Sequence, residues 1–375
     1  MKIQCRGRVF QGEKGSDRQS ACFHDICALA DDRWLSVFRT APRKQNAYPQ
    51  RVLLSSSDDA GATWSAPVEP FPKQELGGKR GDWRAGHVTA LGGSRLVATL
   101  YWVDASDPSL PFFNDQTEGL LDSRIFLAFS DDDGRSWSEP TRADTTPFNI
   151  PTPITGPILR LPNGQWGLQF ETNKSYLDTS TWHHASVLMF SRDEGRTWPE
   201  HVRVAADPEA RIFYWDQRLS VLADNTLLAV FWTFDREEAV YRNIHARSSR
   251  DSGRTWSEIW DTGLPGQPGP AVSLGDGRIA MPYVDRESTP VLKLRTSADG
   301  GRSWPDDTEL VLDDTIATAQ QHAKDGMRDA WEEMGAFSLG LPRTALLPSG
   351  DMLVAYYAGP ETDHTAIHWV RLAAR

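Results

Sequence analysis

The chain has 375 residues and a net charge of −11, with 39% apolar and 24% charged residues. This balance is typical of a globular protein, and the lack of clustered Lys and Arg excludes an extended phosphate-binding surface, so we expect no nucleic-acid partner. No apolar run has the length of a membrane span or of a signal peptide, so we expect a cytoplasmic protein with no membrane association. The three cysteines, Cys5, Cys22 and Cys27, form neither a disulfide framework nor a Cys-x-x-Cys metal pair.

Hairpin signals recur along the chain, each with an apolar strand, a short turn rich in Asp, Asn or Gly, and a second apolar strand. From the N-terminus they lie at Ala28–Phe38, Thr89–Tyr101, Ile158–Phe170, Ser220–Phe231, Val272–Val284 and Thr344–Tyr357. Six such signals in succession indicate a repeat architecture.

A second pattern, Ser-x-Asp-x-Gly-x-(Ser/Thr)-Trp, alternates with the hairpins. We expect its Asp to accept backbone N–H groups of its own turn, its Gly to adopt a conformation that other residues avoid, and its Trp to pack between neighbouring sheets. These segments, named the acidic turns below, are therefore predicted to be structural. They are Ser57–Trp64, Ser130–Trp137, Ser191–Trp198, Ser249–Trp256 and Ser297–Trp304.

Each repeat thus contains a hairpin, a third strand, an acidic turn and a fourth strand. This pattern predicts an all-β fold, a six-bladed β-propeller of four-stranded antiparallel blades that forms a single domain over residues 1–375. The sixth unit ends after its third strand near Ala366–Leu372, whereas Ile3–Phe10 precedes the first hairpin. We expect this N-terminal strand to close the last blade, which removes an open sheet edge. One helical insertion is predicted from Thr315 to about Met334.

The repeated acidic turns and hairpins resemble those of the sialidase superfamily of Asp-box (BNR) proteins, over essentially the whole chain. The resemblance implies a substrate site over the central axis, on the face opposite the acidic turns. It also implies enzymes that hold a sugar carboxylate with three Arg and use a Tyr nucleophile assisted by a Glu, with an Asp as acid/base.

Those family residues are not recognisable at the matching positions. Phe23-His24-Asp25-Ile26 stands where the family has Arg-Ile-Pro, and Asp216 stands at the Glu position. Trp232 occupies an Arg position, and the Tyr position falls near Leu341-Pro342. The departures argue against ordinary sialidase chemistry, because function follows the site and not the fold.

Two strips of residues are predicted to face the axis, at the start of each inner strand and at the end of each second strand. Their carboxylates suggest an acid and a nucleophile or base for glycoside hydrolysis, and His24 is a candidate general base near neutral pH. Their Arg and aromatic side chains suit a sugar that carries a negative charge. The candidate catalytic residues are Asp216, Glu171 and His24, and the candidate substrate-binding residues are Arg84, Arg39, Arg218, Arg343, Gln267, Tyr101, Trp232 and Tyr357.

Long loops at Val103–Ser123 and Glu171–His184 are expected to form walls over the site. His183-His184 lacks a third ligand at helical spacing, so we predict no metal and no cofactor. The leading hypothesis is an exo-acting glycoside hydrolase for a small, acidic carbohydrate. A lyase with His24 or Tyr101 as base and Arg84 as enolate stabiliser, a sialidase with a displaced Arg triad, and a non-catalytic glycan-binding propeller stay open.

Overall fold

The computed structural model describes residues 1–45, 47–314 and 322–373. Its strands in chain order are β1 (Lys2–Gln11), β2 (Ser20–Ala28), β3 (Trp34–Ala41), β4 (Arg51–Ser57), β5 (Glu75–Leu76), β6 (Lys79–Gly92), β7 (Arg95–Asp104), β8 (Phe113–Asn114), β9 (Gly119–Leu120), β10 (Ser123–Ser130), β11 (Thr141–Arg142), β12 (Leu159–Arg160), β13 (Trp166–Thr172), β14 (Ala185–Ser191), β15 (Glu200–Ala206), β16 (Ile212–Val221), β17 (Leu227–Asp235), β18 (Val240–Tyr241), β19 (His245–Ser249), β20 (Trp260–Asp261), β21 (Gln267–Pro268), β22 (Val272–Ser273), β23 (Ile279–Asp285), β24 (Val291–Ser297), β25 (Leu310–Asp313), β26 (Leu339–Leu346), β27 (Met352–Glu361) and β28 (His364–Ala373). A 3-10 turn spans Asp306–Thr308, and one α-helix, α1, spans Met327–Ala336. The fold is therefore all-β with one short helix in the described part, as predicted.

The strands divide into six consecutive strand groups. The first is β2–β4, the second β5–β7 with β10 and β11, the third β12–β15, the fourth β16–β20, the fifth β21–β25, and the sixth β26–β28 with β1. Pairing within each group is antiparallel, and the first and sixth groups are joined by a single parallel bridge, Ser20 to Thr365. β8 and β9 form a separate hairpin in the loop between β7 and β10.

The N-terminal strand pairs with the last strand of the chain, as predicted. β1 lies antiparallel to β28, from the pair Lys2–Ala373 to the pair Gln11–Ala366. The pairing satisfies the backbone groups of β28 that would otherwise form an open edge.

Six buried apolar clusters lie between successive strand groups and hold them side by side. Between the first and second groups, Leu35 of β3 packs in the same cluster as Leu96 of β7. Another cluster joins Phe38 of β3 with Tyr357 of β27, so the last group packs back on the first. The Trp of each acidic turn lies in or against one of these clusters, which confirms its predicted packing.

The acidic turns share one hydrogen-bond pattern. In the first, the Ser57 hydroxyl donates to Asp59 and accepts the Gly61 N–H at 2.9 Å. The Asp59 carboxylate then accepts the Thr63 N–H at 2.8 Å and the Thr63 hydroxyl at 2.6 Å. The predicted structural role of the Asp is thus confirmed. The same bonds recur in the turns that begin at Ser130, Ser191, Ser249 and Ser297.

The helix is shorter than the sequence predicts. Of the expected helix from Thr315 to Met334, residues 315–321 lie outside the described residues, and α1 begins only at Met327. Residues 322–326 are not helical because this segment folds back on α1. The His322 N–H donates to Glu333 at 2.5 Å, and Lys324 pairs with the same carboxylate at 3.0 Å. No helix in the described part of the chain is long and apolar enough to cross a membrane.

Candidate functional site

A β-bulge interrupts the same part of four strands, β2, β6, β16 and β26. The pairing register shifts between Cys22 and Asp25, Trp83 and Ala85, Trp215 and Arg218, and Gly340 and Arg343. Phe23, Asp216 and Leu341 within these bulges have positive φ angles of 47°, 52° and 53°. A non-glycine residue in this region is strained, and bulges redirect side chains, so the recurrence marks this level as a candidate site.

The bulges and the acidic turns lie at opposite ends of the strands. In β3, Arg39 pairs with Cys22 of the first bulge, whereas Trp34 pairs with Ser57 of the first acidic turn. Five residues of extended strand span about 17 Å. The bulge end is therefore well separated from the acidic turns. The space at the bulge end, bordered by the four bulges, is named the cleft.

Two arginines meet on one side of the cleft. The guanidinium groups of Arg39 and Arg84 lie 5.1 and 5.2 Å from the centre of the Phe23 ring. Both donate to the Gln50 side-chain oxygen, at 3.0 and 3.4 Å. Burial lowers the pKa of Arg84 to about 10, and the neighbouring Arg39 charge contributes to this lowering. The two cations are thus held together although they repel each other.

Two further cations extend this group. The Lys44 ammonium donates to the backbone oxygens of Met334 and Phe337, both at 2.6 Å, and the Arg286 guanidinium lies 4.2 Å from the centre of the Phe337 ring. Burial lowers the pKa of Lys44 to about 7, and the charges of Arg286, Arg39 and Arg84 contribute to this lowering. Arg39, Lys44, Arg84 and Arg286 are named the cation cluster.

Of the two predicted catalytic carboxylates, Asp216 is the more open to solvent, with 27% of its side chain exposed. It accepts a hydrogen bond from the Gln267 amide and pairs with Arg218 at 3.1 Å. The Gln267 oxygen in turn accepts from Arg286 at 2.9 Å. Asp216 is therefore linked through one side chain to the cation cluster.

Glu171 lies beside Asp216. It accepts the backbone N–H of Gln217, the residue after Asp216, at 3.4 Å, and its second oxygen lies 3.5 Å from His184 Nε2. Only 8% of Glu171 is exposed. The two predicted carboxylates are thus brought together by one bulge, and their catalytic roles stay predictions.

The two candidate bases are in poor positions for that role. His24 is fully buried, and burial lowers its pKa to about 3. This corrects the expectation that His24 titrates near neutral pH. The Tyr101 hydroxyl donates to Ser123 at 2.7 Å, and burial raises its pKa.

Other predicted substrate-binding residues lie deeper than expected. Trp232 and Tyr357 are each 2% exposed, and Trp232 stacks on Tyr241 with ring centres 4.7 Å apart. Arg218 and Arg343 both donate to the Thr155 carbonyl, at 2.5 and 3.1 Å, below the cleft. These residues support the site or lie under it instead of lining its open surface.

Aromatic side chains from the loops form one wall of the cleft. Phe112 lies over the Arg84 guanidinium, 4.0 Å from the ring centre, and Phe113 stacks on Trp331 of α1 with ring centres 4.6 Å apart. The predicted role of the loop Val103–Ser123 as a wall agrees with this packing. Rings of this kind suit the apolar faces of sugars.

Sequence reasoning missed Lys44 and Arg286. Arg286 directly follows β23, two positions beyond Val284 on the strip that was expected to face the axis, so a longer strand would have indicated it. Lys44 lies in an irregular loop, and no periodic pattern marks it. Tyr241 and Glu333, two neighbours of Arg286, were also missed. Burial raises the pKa of Tyr241, and the Glu333 charge raises it further.

Comparisons with solved structures show the same fold. A protein of unknown function from Dyadobacter fermentans superimposes with a TM-score of 0.73 at 17% identity, over 99% of both chains. The intramolecular trans-sialidase from Ruminococcus gnavus gives 0.62 at 12% identity, over 97% of this chain and 96% of that one. The Trypanosoma rangeli sialidase gives 0.65 at 13% identity, and the match covers 98% of this chain and 60% of the longer enzyme.

No curated protein matches the sequence. The model of the BNR repeat-like domain family matches residues 103–316, which is more than half of the chain. The match includes four complete acidic turns and part of the cleft, so it covers the repeated elements that build the fold. The chain therefore belongs to the BNR repeat-like domain family, and it shares its fold with named sialidases.

Proposed function

We propose that the protein is an exo-acting glycoside hydrolase for a small, acidic carbohydrate. The observation that carries the proposal is the cation cluster beside the partly exposed Asp216 carboxylate. Buried cations are costly unless they are paired, and an anionic group of a substrate would provide that pairing. Arg is well suited to a carboxylate because it can donate two parallel hydrogen bonds.

We further propose that the six strand groups are the blades of a six-bladed propeller with four strands per blade, where the Leu54–Val68 bridge marks the fourth strand position beside β4. The support is that each group packs on the next and that the sixth packs on the first. The cleft then lies over the propeller axis. This position would let all six inner strands contribute to one site.

Asp216 and Glu171 are the proposed catalytic pair. In a retaining reaction, Asp216 would attack the anomeric carbon while Glu171 protonates the leaving oxygen, and water would then release the sugar and restore both groups. In an inverting reaction, Asp216 would take a proton from the attacking water. The ion pair with Arg218 suits a carboxylate that begins either reaction in its ionised form.

A lyase is less well supported, since it needs a base at His24 or Tyr101. His24 is enclosed and its pKa is lowered to about 3 by burial, and the Tyr101 hydroxyl is engaged with Ser123. A sialidase with a displaced Arg set is the second candidate, because Arg39, Arg84 and Arg286 belong to one cluster and the structural neighbours include named sialidases.

The test is incubation of the protein with sialosides, uronate oligosaccharides and neutral oligosaccharides in ¹⁸O-labelled water, with products read by mass spectrometry. A hydrolase gives cleavage of an acidic substrate with one ¹⁸O atom in the product. An unsaturated product without label would replace the proposal by the lyase. Binding without any cleavage would replace it by a glycan-binding role.

Two variants assign the roles within this assay. Asp216→Asn and Glu171→Gln should each abolish labelled product, whereas Asp276→Asn, an exposed carboxylate in the β22–β23 turn, should leave it unchanged. Equal activity in all three variants would exclude the proposed catalytic pair.

A further inference from the structure

A second cavity lies below the cleft, where inner strands from several groups converge. Its volume is about 340 Å³, and its lining includes Asp25 of β2, Gln169 of β13, Arg218 of β16 and Arg343 of β26. Residues of the β16–β17 turn, such as Leu222 and Ala223, also line it, so it is open towards the acidic-turn end. It therefore opens on the side opposite the cleft, and Arg218 belongs to both, since it lines the cavity and pairs with Asp216 at 3.1 Å.

The hydrogen-bond acceptors Asp25 and Gln169 of this cavity already accept bonds from other parts of the protein. Asp25 accepts the backbone N–H groups of Ile26 and Val88, at 3.0 and 3.3 Å, and lies 3.4 Å from His87 Nδ1. The Gln169 oxygen accepts the Leu219 N–H at 3.3 Å. Both side chains are therefore engaged, and among the described residues neither accepts a hydrogen bond from the arginines of the lining, although the Asp25 charge acts to raise the pKa of Arg343.

Three donors in the same lining have no partner among the described residues. These are the Nε atoms of Arg218 and Arg343 and the hydroxyl of Ser220. Arg218 is 1% exposed, Arg343 is 4% exposed and Ser220 is 8% exposed, so bulk water does not solvate them freely. Buried donors without partners are costly, and charged ones more so.

We propose that this cavity binds a small oxyanion between Arg218 and Arg343. Such a ligand supplies acceptors only, which is what the three unpartnered donors require. Both guanidinium groups already share the Thr155 carbonyl, so they are positioned close together before the anion binds. The cavity volume of about 340 Å³ limits the ligand to a small molecule or ion.

The experiment is calorimetric titration of the full chain with sulfate and with acetate, at constant ionic strength set with sodium chloride. The cation cluster of the cleft can also bind these anions, so Arg84→Gln serves to weaken the cleft contribution. The cavity site is the binding event whose affinity Arg84→Gln leaves unchanged. Stronger binding of sulfate than acetate would assign a tetrahedral oxyanion, and the reverse would assign a carboxylate.

Within the Arg84→Gln background, Arg343→Gln should weaken the remaining site about tenfold or more, since it removes one charged donor. Arg278→Gln, an exposed Arg in the β22–β23 turn, is the matched control and should leave it unchanged. Ser220→Ala removes one neutral donor, should weaken binding less, and replaces Arg343→Gln if that variant does not fold.

Unchanged affinity in both cavity variants, or no binding event in Arg84→Gln, would overturn the proposal. Neither result would bear on the proposed hydrolase, which is tested by product formation in the cleft. The two proposals therefore fail separately.

Discussion

The two ends of the strands use their polar residues in opposite ways. At the acidic-turn end, each Asp is satisfied by its own turn: Ser136 donates its hydroxyl and its N–H to Asp132. At the bulge end, the cation cluster gathers four basic side chains from separate loops and strands, and Asp216 stays partly exposed. Polar groups that are satisfied locally stabilise a fold, whereas basic groups gathered beside one another are available for an anionic ligand.

The largest expected effect comes from removing the carboxylate at the bulge end. Asp216→Asn should lower kcat/KM for the acidic substrate by about 10²–10⁴-fold, because it removes the proposed nucleophile or base. The thermal unfolding midpoint should change little, since the amide can still accept from Arg218. The measurement is initial rates together with differential scanning calorimetry, and a rate loss matched by loss of folded protein would contradict a catalytic role.

The next effect concerns the cation cluster. Arg84→Gln should raise KM for an acidic substrate by about 10–100-fold, which corresponds to one or two charge-assisted hydrogen bonds. The Phe112 and Phe23 contacts to the side chain are retained in part by the Gln stem.

Arg95→Gln is the matched control for this change, because Arg95 is an exposed residue that pairs with Glu194 of the third acidic turn. It should leave KM unchanged. Steady-state kinetics on acidic and neutral analogues of one sugar test whether Arg84 recognises the negative charge of the substrate. A KM increase of equal size for both analogues would show that it does not.

A stability effect is expected at the acidic-turn end. Gly61 has a φ of +83°, and an added Cβ would lie 2.5 Å from ring atoms of both Trp34 and Trp369. Gly61→Ala should therefore lower the free energy of unfolding by about 1–3 kcal/mol more than Gly93→Ala. Gly93 also has a positive φ, of +59°, but no atom lies within 4 Å of the added Cβ.

Chemical denaturation of both variants measures this difference. Equal losses would show that the backbone angle alone, and not the packing of the two Trp rings, requires glycine at position 61. Activity per folded molecule should be unchanged in both variants, because neither position contacts the cleft.

The smallest effect is in the pH dependence of stability, which should show two windows. Burial lowers the pKa of His24 to about 3 and that of His87 to about 4, from an ordinary value of 6.5. The unfolded chain binds these protons first, so stability should fall as pH drops from 6.5 to about 4 for His87 and to about 3 for His24. The Ser136 hydroxyl and N–H lower the pKa of Asp132 to about 2 from 3.8, so a further loss should follow below pH 4.

Unfolding midpoints measured at closely spaced pH values separate the two windows. His24→Leu should reduce the loss between pH 6.5 and about 3, leaving the parts due to His87 and to Asp132. A profile that is flat between pH 6.5 and 4 in the native protein would contradict the burial of neutral His24 and His87.

The fold could be predicted from sequence because its signals are local and repeated. Every acidic turn carries its own hydrogen-bond partners within seven residues, and each hairpin turn is marked by its own Asp, Asn or Gly. The N-terminal strand could be assigned because the last unit lacked a strand. The helix boundary could not, because Lys324 and Glu333 draw the chain back on α1, which is a tertiary contact.

The site was predicted less completely because it is assembled across the chain. Asp216 and Glu171 were predicted by aligning the repeats on their hairpin turns, and the structure brings them to one bulge, while their roles stay predictions. Lys44 could not be found this way, since its ammonium is positioned by the backbone oxygen of Met334, which lies 290 residues away in sequence. The bulges themselves shift the register by a residue or more, which is why Arg343 was expected at the cleft and lies below it.

The central claim is that an acidic sugar binds at the bulge end. The most direct test is a crystal structure of the Asp216→Asn variant soaked with an intact substrate that the native protein cleaves. We predict that the sugar carboxylate contacts Arg84 and at least one other member of the cation cluster, with the sugar ring beside position 216. Sugar bound at the acidic-turn end, or in the cleft with its carboxylate turned to solvent, would contradict the account.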